Sequence, residues 1–142
     1  MGWHDCRIYA CAFPDQAFEI AFDIDYIFQW VSPAEDETYF KFWISPATLV
    51  FEWVYDVRFD LDLAFLEGVD FETIERSDPK LIEAGEFARR KAWLWKLSTR
   101  GGEIGFRAAA YKQYTRKMPA LCDQQHLELG IRGGISFDRS LV

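Results

Sequence analysis

The sequence lacks the long apolar runs that membrane-spanning and secreted chains carry. No apolar stretch in its 142 residues reaches the ~18 residues that a helix needs to cross a bilayer. The first residues, Met1 to Asp5, have neither the basic start nor the apolar block of a signal peptide. The sequence therefore predicts a cytoplasmic protein that does not contact a membrane.

Cysteine and histidine are scarce, with three of the first and two of the second. Cys6, Cys11 and Cys122 form no C-x-x-C pair, and an odd number of cysteines is typical of free thiols in a reducing compartment. The two histidines, His4 and His126, form no ligand set with these cysteines at a spacing used for zinc. We therefore expect neither a metal ion nor a cofactor.

The sequence motifs of common enzyme classes are also missing. There is no Gly-rich phosphate loop and no G-x-S-x-G elbow for a nucleophilic serine. These absences favour a protein that binds a partner over an enzyme.

Aromatic residues, in contrast, make up 18% of the chain and include thirteen Phe and six Trp. A chain this aromatic can bury a dense core without disulfides or a metal. Its clearest pattern is the period-two alternation of residues 18–30, in which every even position is apolar and the odd positions include Glu19, Asp23 and Asp25. Because side chains alternate across a strand, this pattern predicts a long strand with one buried face and one acidic face.

Shorter alternating segments predict further strands at 7–13, 39–44, 48–53, 57–63, 71–76, 93–97, 104–106, 127–131 and 135–137. Pro46 has no N–H to donate and is expected at an edge, a bulge or a bend. Pro14–Asp15 and Arg100–Glu103 predict hairpin turns. Residues 108–117 favour a helix by propensity, with Pro119 ending it.

The pattern as a whole predicts one domain of mainly β class over residues 1–142. We expect an antiparallel, strongly curled sheet, or a small sandwich or barrel, of about 8–10 short strands. One short helix near 108–117 would close it. A flat sheet of so many strands would leave too much aromatic surface in water.

The net charge of −7 is unevenly distributed along the chain. Residues 1–79 hold 17 acids and 4 bases, a charge of −13, and residues 80–142 hold 6 acids and 12 bases, a charge of +6. Either the two halves pair and neutralise each other, or they form surfaces of opposite sign, one of which meets a partner. We predict that the bases of 89–117 lie beside acids of the first half more often than beside one another. Tyr111 and Tyr114 among these bases suit single-stranded nucleic acid, but a pI of about 4.8 disfavours that partner.

The pairs Asp23/Asp25 and Asp60/Asp62 are spaced so that both carboxylates of each pair point to one face of a strand. Were the two strands neighbours, four carboxylates would share a surface. Together with Glu19, these four acids form the predicted binding surface for a basic protein. The same pattern also fits a merely solvated sheet face, and close carboxylates suit acid–base chemistry or cation binding.

The tryptophans allow an alternative function, a β domain that binds a small molecule in a Trp-lined pocket. At strand spacing, however, a tryptophan is more often part of the core; the five are Trp30, Trp43, Trp53, Trp93 and Trp95. The segment 39–44 is bulky on both faces, so it is either covered on both sides or exposes an interaction patch.

Three segments resemble a group of small uncharacterised bacterial proteins that are similar to immunity proteins of bacterial toxin systems. They are Trp3-His4-Asp5 with the alternating strand after it, residues 47–57, and residues 132–137. The resemblance spans most of the chain in outline and carries no catalytic residues. It implies a cytoplasmic bacterial protein that binds a partner, with a basic toxin as the candidate, because opposite charges accelerate association. Self-association into a homo-oligomer stays open.

Overall fold

In the computed structural model, which describes residues 2–13, 18–63, 67–83, 85 and 89–140, the chain is mainly antiparallel β-sheet, as the sequence predicts. The predicted turn at Pro14–Asp15 lies outside these residues. The strands are β1 (Arg7–Ala12), β2 (Glu19–Val31), β3 (Lys41–Glu52), β4 (Tyr55–Leu61), β5 (Val69–Leu81), β6 (Lys91–Thr99), β7 (Gly102–Ala108), β8 (Ala110–Thr115) and β9 (Ala120–Cys122). One short helix, α1, spans Leu129–Arg132.

The nine strands form one open antiparallel sheet in the order β4-β7-β6-β5-β1-β2-β3-β8, with β9 also paired to β3. Over the described residues, β4 and β8 do not pair with each other, so the sheet is not closed. It is not strongly curled either, and the expected curled sheet, sandwich or barrel is not confirmed. β1 and β5 pair at only two positions, which divides the strands into a β1-β2-β3-β8-β9 group and a β4-β7-β6-β5 group.

β3 runs without a break through Ser45–Pro46, where the sequence predicts an interruption. Pro46 pairs with Asp25 of β2 on one side. On the other side it lies in a gap between two strands: β8 pairs with β3 from Ala47 onwards, and β9 pairs with β3 only up to Ile44. The missing N–H of proline therefore leaves no ladder bond unmade there, since β3 is locally an edge.

Residues 108–117 contain strand β8 and not the predicted helix. Tyr111 pairs with Phe51 and Gln113 with Leu49, so alternate side chains of β8 share a face with the core residues of β3. Hydrogen bonding to the otherwise open edge of β3 outweighs the weak helix preference of the alanine run.

The C-terminal segment 127–137 forms no strand, contrary to the prediction. It contains α1, which is followed by the capping residue Gly133 with a left-handed φ of 84°. The backbone N–H groups of Leu127 and Ser136 donate to carboxylates of β2. The segment thus covers a face of the sheet and does not extend its edge.

The aromatic core joins the two groups of strands. The ring of Phe51 on β3 lies 5.0 Å from Trp95 on β6 and 4.8 Å from Phe106 on β7, in both cases edge-on. Phe22 on β2 contacts Phe71 on β5 at 5.8 Å. All five rings are buried, so they carry the apolar burial that stabilises the fold. Within the described residues, no helix is long and apolar enough to cross a membrane.

Candidate functional site

The two carboxylate pairs predicted as parts of one acidic surface belong to strands that are not neighbours. Asp23 and Asp25 on β2 are fully buried, whereas Asp60 and Asp62 at the end of β4 are exposed. In the sheet, β1, β5, β6 and β7 separate β2 from β4. The expectation that these acids share a solvated face is therefore wrong for Asp23 and Asp25. The alternation of polar and apolar residues indicates which face of a strand is polar, but it does not indicate whether that face is exposed to solvent.

The buried carboxylates of β2 bind a buried arginine from the C-terminal segment. The guanidinium of Arg132 donates to both oxygens of Asp23, at 2.6 and 2.9 Å, and its Nε donates to Asp25 at 3.0 Å. Arg116, which follows β8, donates a further bond of 2.6 Å to Asp23. Two acids are thus balanced by two guanidinium groups, one of them in the bidentate geometry that makes such bonds strong.

The remaining carboxylate oxygens are also bonded. The second oxygen of Asp25 accepts the Leu127 N–H at 2.6 Å and the Tyr9 hydroxyl at 3.0 Å, and Asp23 accepts the Ser136 N–H at 3.0 Å. No buried side-chain nitrogen or oxygen lacks a hydrogen-bond partner in the described part of the chain. Burying a charge is costly unless it is paired and hydrogen-bonded, and this network meets both conditions.

The network holds Asp23 in its ionised form. Burial opposes ionisation, but the hydrogen bonds from Arg132 and Arg116 outweigh burial and lower the pKa of Asp23. A carboxylate that is ionised, fully bonded and closed to solvent has no free lone pair for a substrate proton or a metal ion. The geometry therefore gives Asp23 and Asp25 a structural role, which is to fasten the C-terminal segment onto the sheet.

Bases of the second half do pair with acids of the first half, as the charge distribution predicts. Arg107 contacts Asp78 at 2.6 Å and Lys112 contacts Glu52 at 2.8 Å. Arg116 makes the buried bond described above. Ion pairs therefore connect the two halves of opposite charge within one sheet.

Glu19, the fifth acid of the predicted binding surface, is paired as well. It lies at the start of β2 and forms an ion pair with Arg139 near the C-terminus.

Arg132, the most deeply buried base, lies outside the predicted 89–117 set. Two features of the sequence touch it: the resembling segment 132–137, which gives it no role, and the excess of bases in the second half.

The far end of the β2–β3 hairpin exposes aromatic side chains. We call residues 28–31 and 39–43 the hairpin end. Trp30 and Phe40 are each 45% exposed, Trp43 is 38% exposed and Tyr39 is 80% exposed. The sequence predicts that segment 39–44 is either covered on both sides or forms an exposed patch, and residues 39, 40 and 43 are exposed.

Both faces of the hairpin end carry this apolar surface. Trp30 lies opposite Phe42 on one face, with their rings 5.0 Å apart. Trp43 lies opposite Leu121 of β9 on the other face, and Leu121 is 48% exposed. Phe28, also exposed, sits in the bulge that separates the end from the regular part of β2. The described residues therefore leave this end open on both sides.

Acidic side chains border the hairpin end. Glu35 and Asp36 in the loop and Asp123 after β9 form no ion pair with any described residue, while Glu37 is paired with Lys41 at 2.7 Å. A cavity of about 320 Å³ lies beside them, lined by Glu37, Thr38, Tyr39, Phe40, Lys41 and Asp123. The end thus combines a central aromatic area with a negative rim.

Trp53, Trp93 and Trp95 line none of the larger cavities found among the described residues. Trp95 is buried in the core, and Trp93 and Trp53 each lie against an arginine guanidinium, at 4.4 and 3.7 Å respectively. Three larger cavities, of about 520, 620 and 700 Å³, are lined mainly by charged side chains and by no tryptophan. No observation on these cavities favours a Trp-lined ligand site.

Within the described residues, no three His, Cys, Asp or Glu side chains are placed to hold a metal ion together. No protein-family model, curated protein or solved structure matches the chain. Among the described residues, five of the nine exposed aromatic side chains lie in the hairpin end. The predicted acids Asp60 and Asp62 lie in the other strand group, on β4 and just after it.

Proposed function

We propose that this protein is a non-enzymatic binding module that docks a basic protein through the hairpin end. The observation that carries the proposal is the exposure of Trp30 and Trp43 on opposite faces of one strand pair, with the exposed Phe40 beside Trp30. Soluble proteins rarely leave neighbouring large aromatic side chains in water, and such side chains dominate the binding energy of protein interfaces. The hairpin end would enter a groove of the partner and bury both faces.

The rim supports a basic partner. Glu35, Asp36 and Asp123 carry negative charge beside the aromatic area, and the chain as a whole has a net charge of −7. Acids at the rim of an interface act mainly by steering an oppositely charged partner and by excluding like-charged ones. The loop acids take the place of the acidic surface predicted from the sequence, because Asp23 and Asp25 are buried.

An immunity-type role in the bacterial cytoplasm, with a basic toxin as the partner, is the specific form of this proposal. Its support is the sequence resemblance together with the acidic rim. The unpaired state of Cys6, Cys11 and Cys122 fits a reducing compartment. A toxin gene beside the gene for this chain would identify the partner to be tested first.

The test uses the full chain, tagged and expressed in its native host. Chemical crosslinking and affinity capture are carried out with the natural protein and with the double variant Trp30→Ser/Phe40→Ser. The matched control is Leu63→Ser/Leu81→Ser, which removes two side chains of 51% and 61% exposure from the other group of strands. A captured protein is then purified and its affinity for all three chains is measured.

The expected partner is basic, binds the natural chain and the control alike, and binds the Trp30/Phe40 variant at least about tenfold more weakly. Its association rate should fall as sodium chloride is raised, because screening weakens the attraction to the acidic rim. A partner that binds both variants equally, or whose association ignores salt, would refute docking at the hairpin end. Unfolding curves establish that each variant is folded.

A further inference from the structure

A second feature lies on the outer face of the other strand group, around Gly105 in the middle of β7. Gly105 pairs with Arg58 of β4 on one side and with Lys96 of β6 on the other. Directly paired residues share a face of the sheet, so two cationic side chains flank a position that has no side chain. The result is a hollow between two positive charges.

The backbone does not require glycine at this position. Gly105 is absent from the glycines with a left-handed φ. An added Cβ would meet nothing closer than the carbonyl oxygen of Trp95 at 3.9 Å, an ordinary contact distance. A glycine within a strand lowers stability relative to alanine, and it often marks a place where a ligand approaches the backbone closely.

The charges around the hollow are arranged in two rows across the strands. Arg58 and Lys96 form the row level with Gly105, and no described residue forms an ion pair with either. Two residues along, Asp60 lies directly opposite Glu103, also without a described ion-pair partner. Like charges placed directly opposite each other destabilise a sheet. A cationic group bound between Asp60 and Glu103 would relieve this repulsion, and an anionic group would be attracted to Arg58 and Lys96 in the same way.

These rows line one cavity of about 700 Å³, a size suited to a small molecule. Arg107 closes one end of it and is held in place by Asp78, to which it donates two hydrogen bonds of 2.6 and 2.8 Å. A simple anion fits this cavity poorly, because its lining includes the carboxylates of Asp56, Asp60 and Glu103 as well as three bases.

We propose that the hollow at Gly105 binds a short zwitterionic peptide of dipeptide length. Its carboxylate would lie between Arg58 and Lys96, its ammonium group would lie between Asp60 and Glu103, and its backbone would pass over the hollow. Positions two residues apart on a strand are about 7 Å apart, and an extended dipeptide spans about the same length. This site is separate from the hairpin end and does not depend on the function proposed for it.

The test is a titration of the full, isotope-labelled chain with glycylglycine, followed by NMR through the backbone amide of Gly105. We expect saturable shifts centred on that amide and on its neighbours in β4 and β6. N-acetylglycylglycine, which lacks the ammonium group, and glycylglycine amide, which lacks the carboxylate, should each bind at least about tenfold more weakly.

Two variants locate the site. Gly105→Val fills the hollow and should abolish the saturable shifts, and Lys96→Met should weaken binding about tenfold. Lys91→Met, which removes an exposed base from the start of the same strand, is the matched control and should leave binding unchanged. The proposal is overturned if glycylglycine gives no saturable shift, if the capped peptides or inorganic phosphate bind as tightly as glycylglycine, or if Gly105→Val binds as the natural chain does.

Discussion

Replacing Arg132 by methionine is expected to lower the free energy of unfolding by about 3–5 kcal/mol at neutral pH, the usual cost of removing one partner from a buried ion pair. Arg132 is fully buried and bonds to both Asp23 and Asp25. Methionine occupies similar space but has no donor and no charge. Because a domain of this size is stable by only about 5–15 kcal/mol, the loss would consume a large share of the total.

The size of this loss depends on the bonds that remain. Asp23 keeps Arg116 and the Ser136 N–H, but Asp25 keeps only neutral donors, the Leu127 N–H and the Tyr9 hydroxyl. One buried carboxylate is therefore left without a positive partner. No positive charge then compensates for the cost of removing this carboxylate from water, and the loss of stability in the variant measures that cost.

The assay is urea unfolding followed by tryptophan fluorescence, at about pH 7 and about pH 5. In the natural protein the pKa of Asp23 lies below its unfolded value, so its contribution is complete above that value and is lost only as the pH falls through the lower, folded pKa. In the variant, Asp23 loses the hydrogen bonds from Arg132 that help to lower its pKa, so it takes up a proton at a higher pH than in the natural protein. The gap in stability between the two proteins should therefore shrink at the lower pH.

Arg139→Met is the matched control, because it removes the same atoms from a surface pair. Arg139 is bonded to Glu19 and its side chain is 38% exposed. Exposed pairs contribute about 0–1 kcal/mol, so this variant should lose far less stability than the buried one. Equal losses in the two variants, or a gap that widens on acidification, would refute the assignment of Arg132 as a buried counter-ion.

Three further outcomes are expected. Gly105→Ala should raise the free energy of unfolding by about 0.5 kcal/mol. Gly102→Ala should lower it, because Gly102 has a φ of 141° and an added Cβ would lie 2.0 Å from the carbonyl oxygen of Asp60. Urea midpoints that shift in the same direction for both variants would contradict this. Burial raises the pKa of the Cys6 thiol to about 12, so a thiol reagent near pH 8 should label Cys6 only after unfolding, and rapid labelling of the folded protein would contradict its placement. Sodium chloride raised to about half molar should lower stability modestly by screening exposed pairs, and a stability that is unchanged or increased would count against attraction between the two halves.

Several features of the fold could be predicted because they depend on neighbours in the sequence. The alternation over 18–30 predicts β2, which spans Glu19–Val31. The two glycines at 101 and 102 predict the turn between β6 and β7. Both signals are local, since strand periodicity and turn conformation are set by a few consecutive residues.

The candidate sites could be predicted only in part. The sequence indicates bulky residues on both faces of segment 39–44, but exposure depends on which segments pass over the hairpin end. Of the hollow at Gly105 the sequence indicates only Asp60, because Arg58 and Lys96 become neighbours of Gly105 only through strand pairing. Contacts between distant segments are not encoded in the periodicity of either segment.

The sequence by itself determined the mainly β antiparallel class, the position of the long strand β2 and the tendency of the basic half to pair with the acidic half. The tertiary structure alone decided that Asp23 and Asp25 are core residues. Arg132, 109 positions from Asp23, reaches them because the C-terminal segment lies across the sheet. Polarity is a property of each side chain, whereas burial is a property of what the rest of the chain places on top of it, and only the folded chain supplies the partner that allows a buried carboxylate to stay ionised.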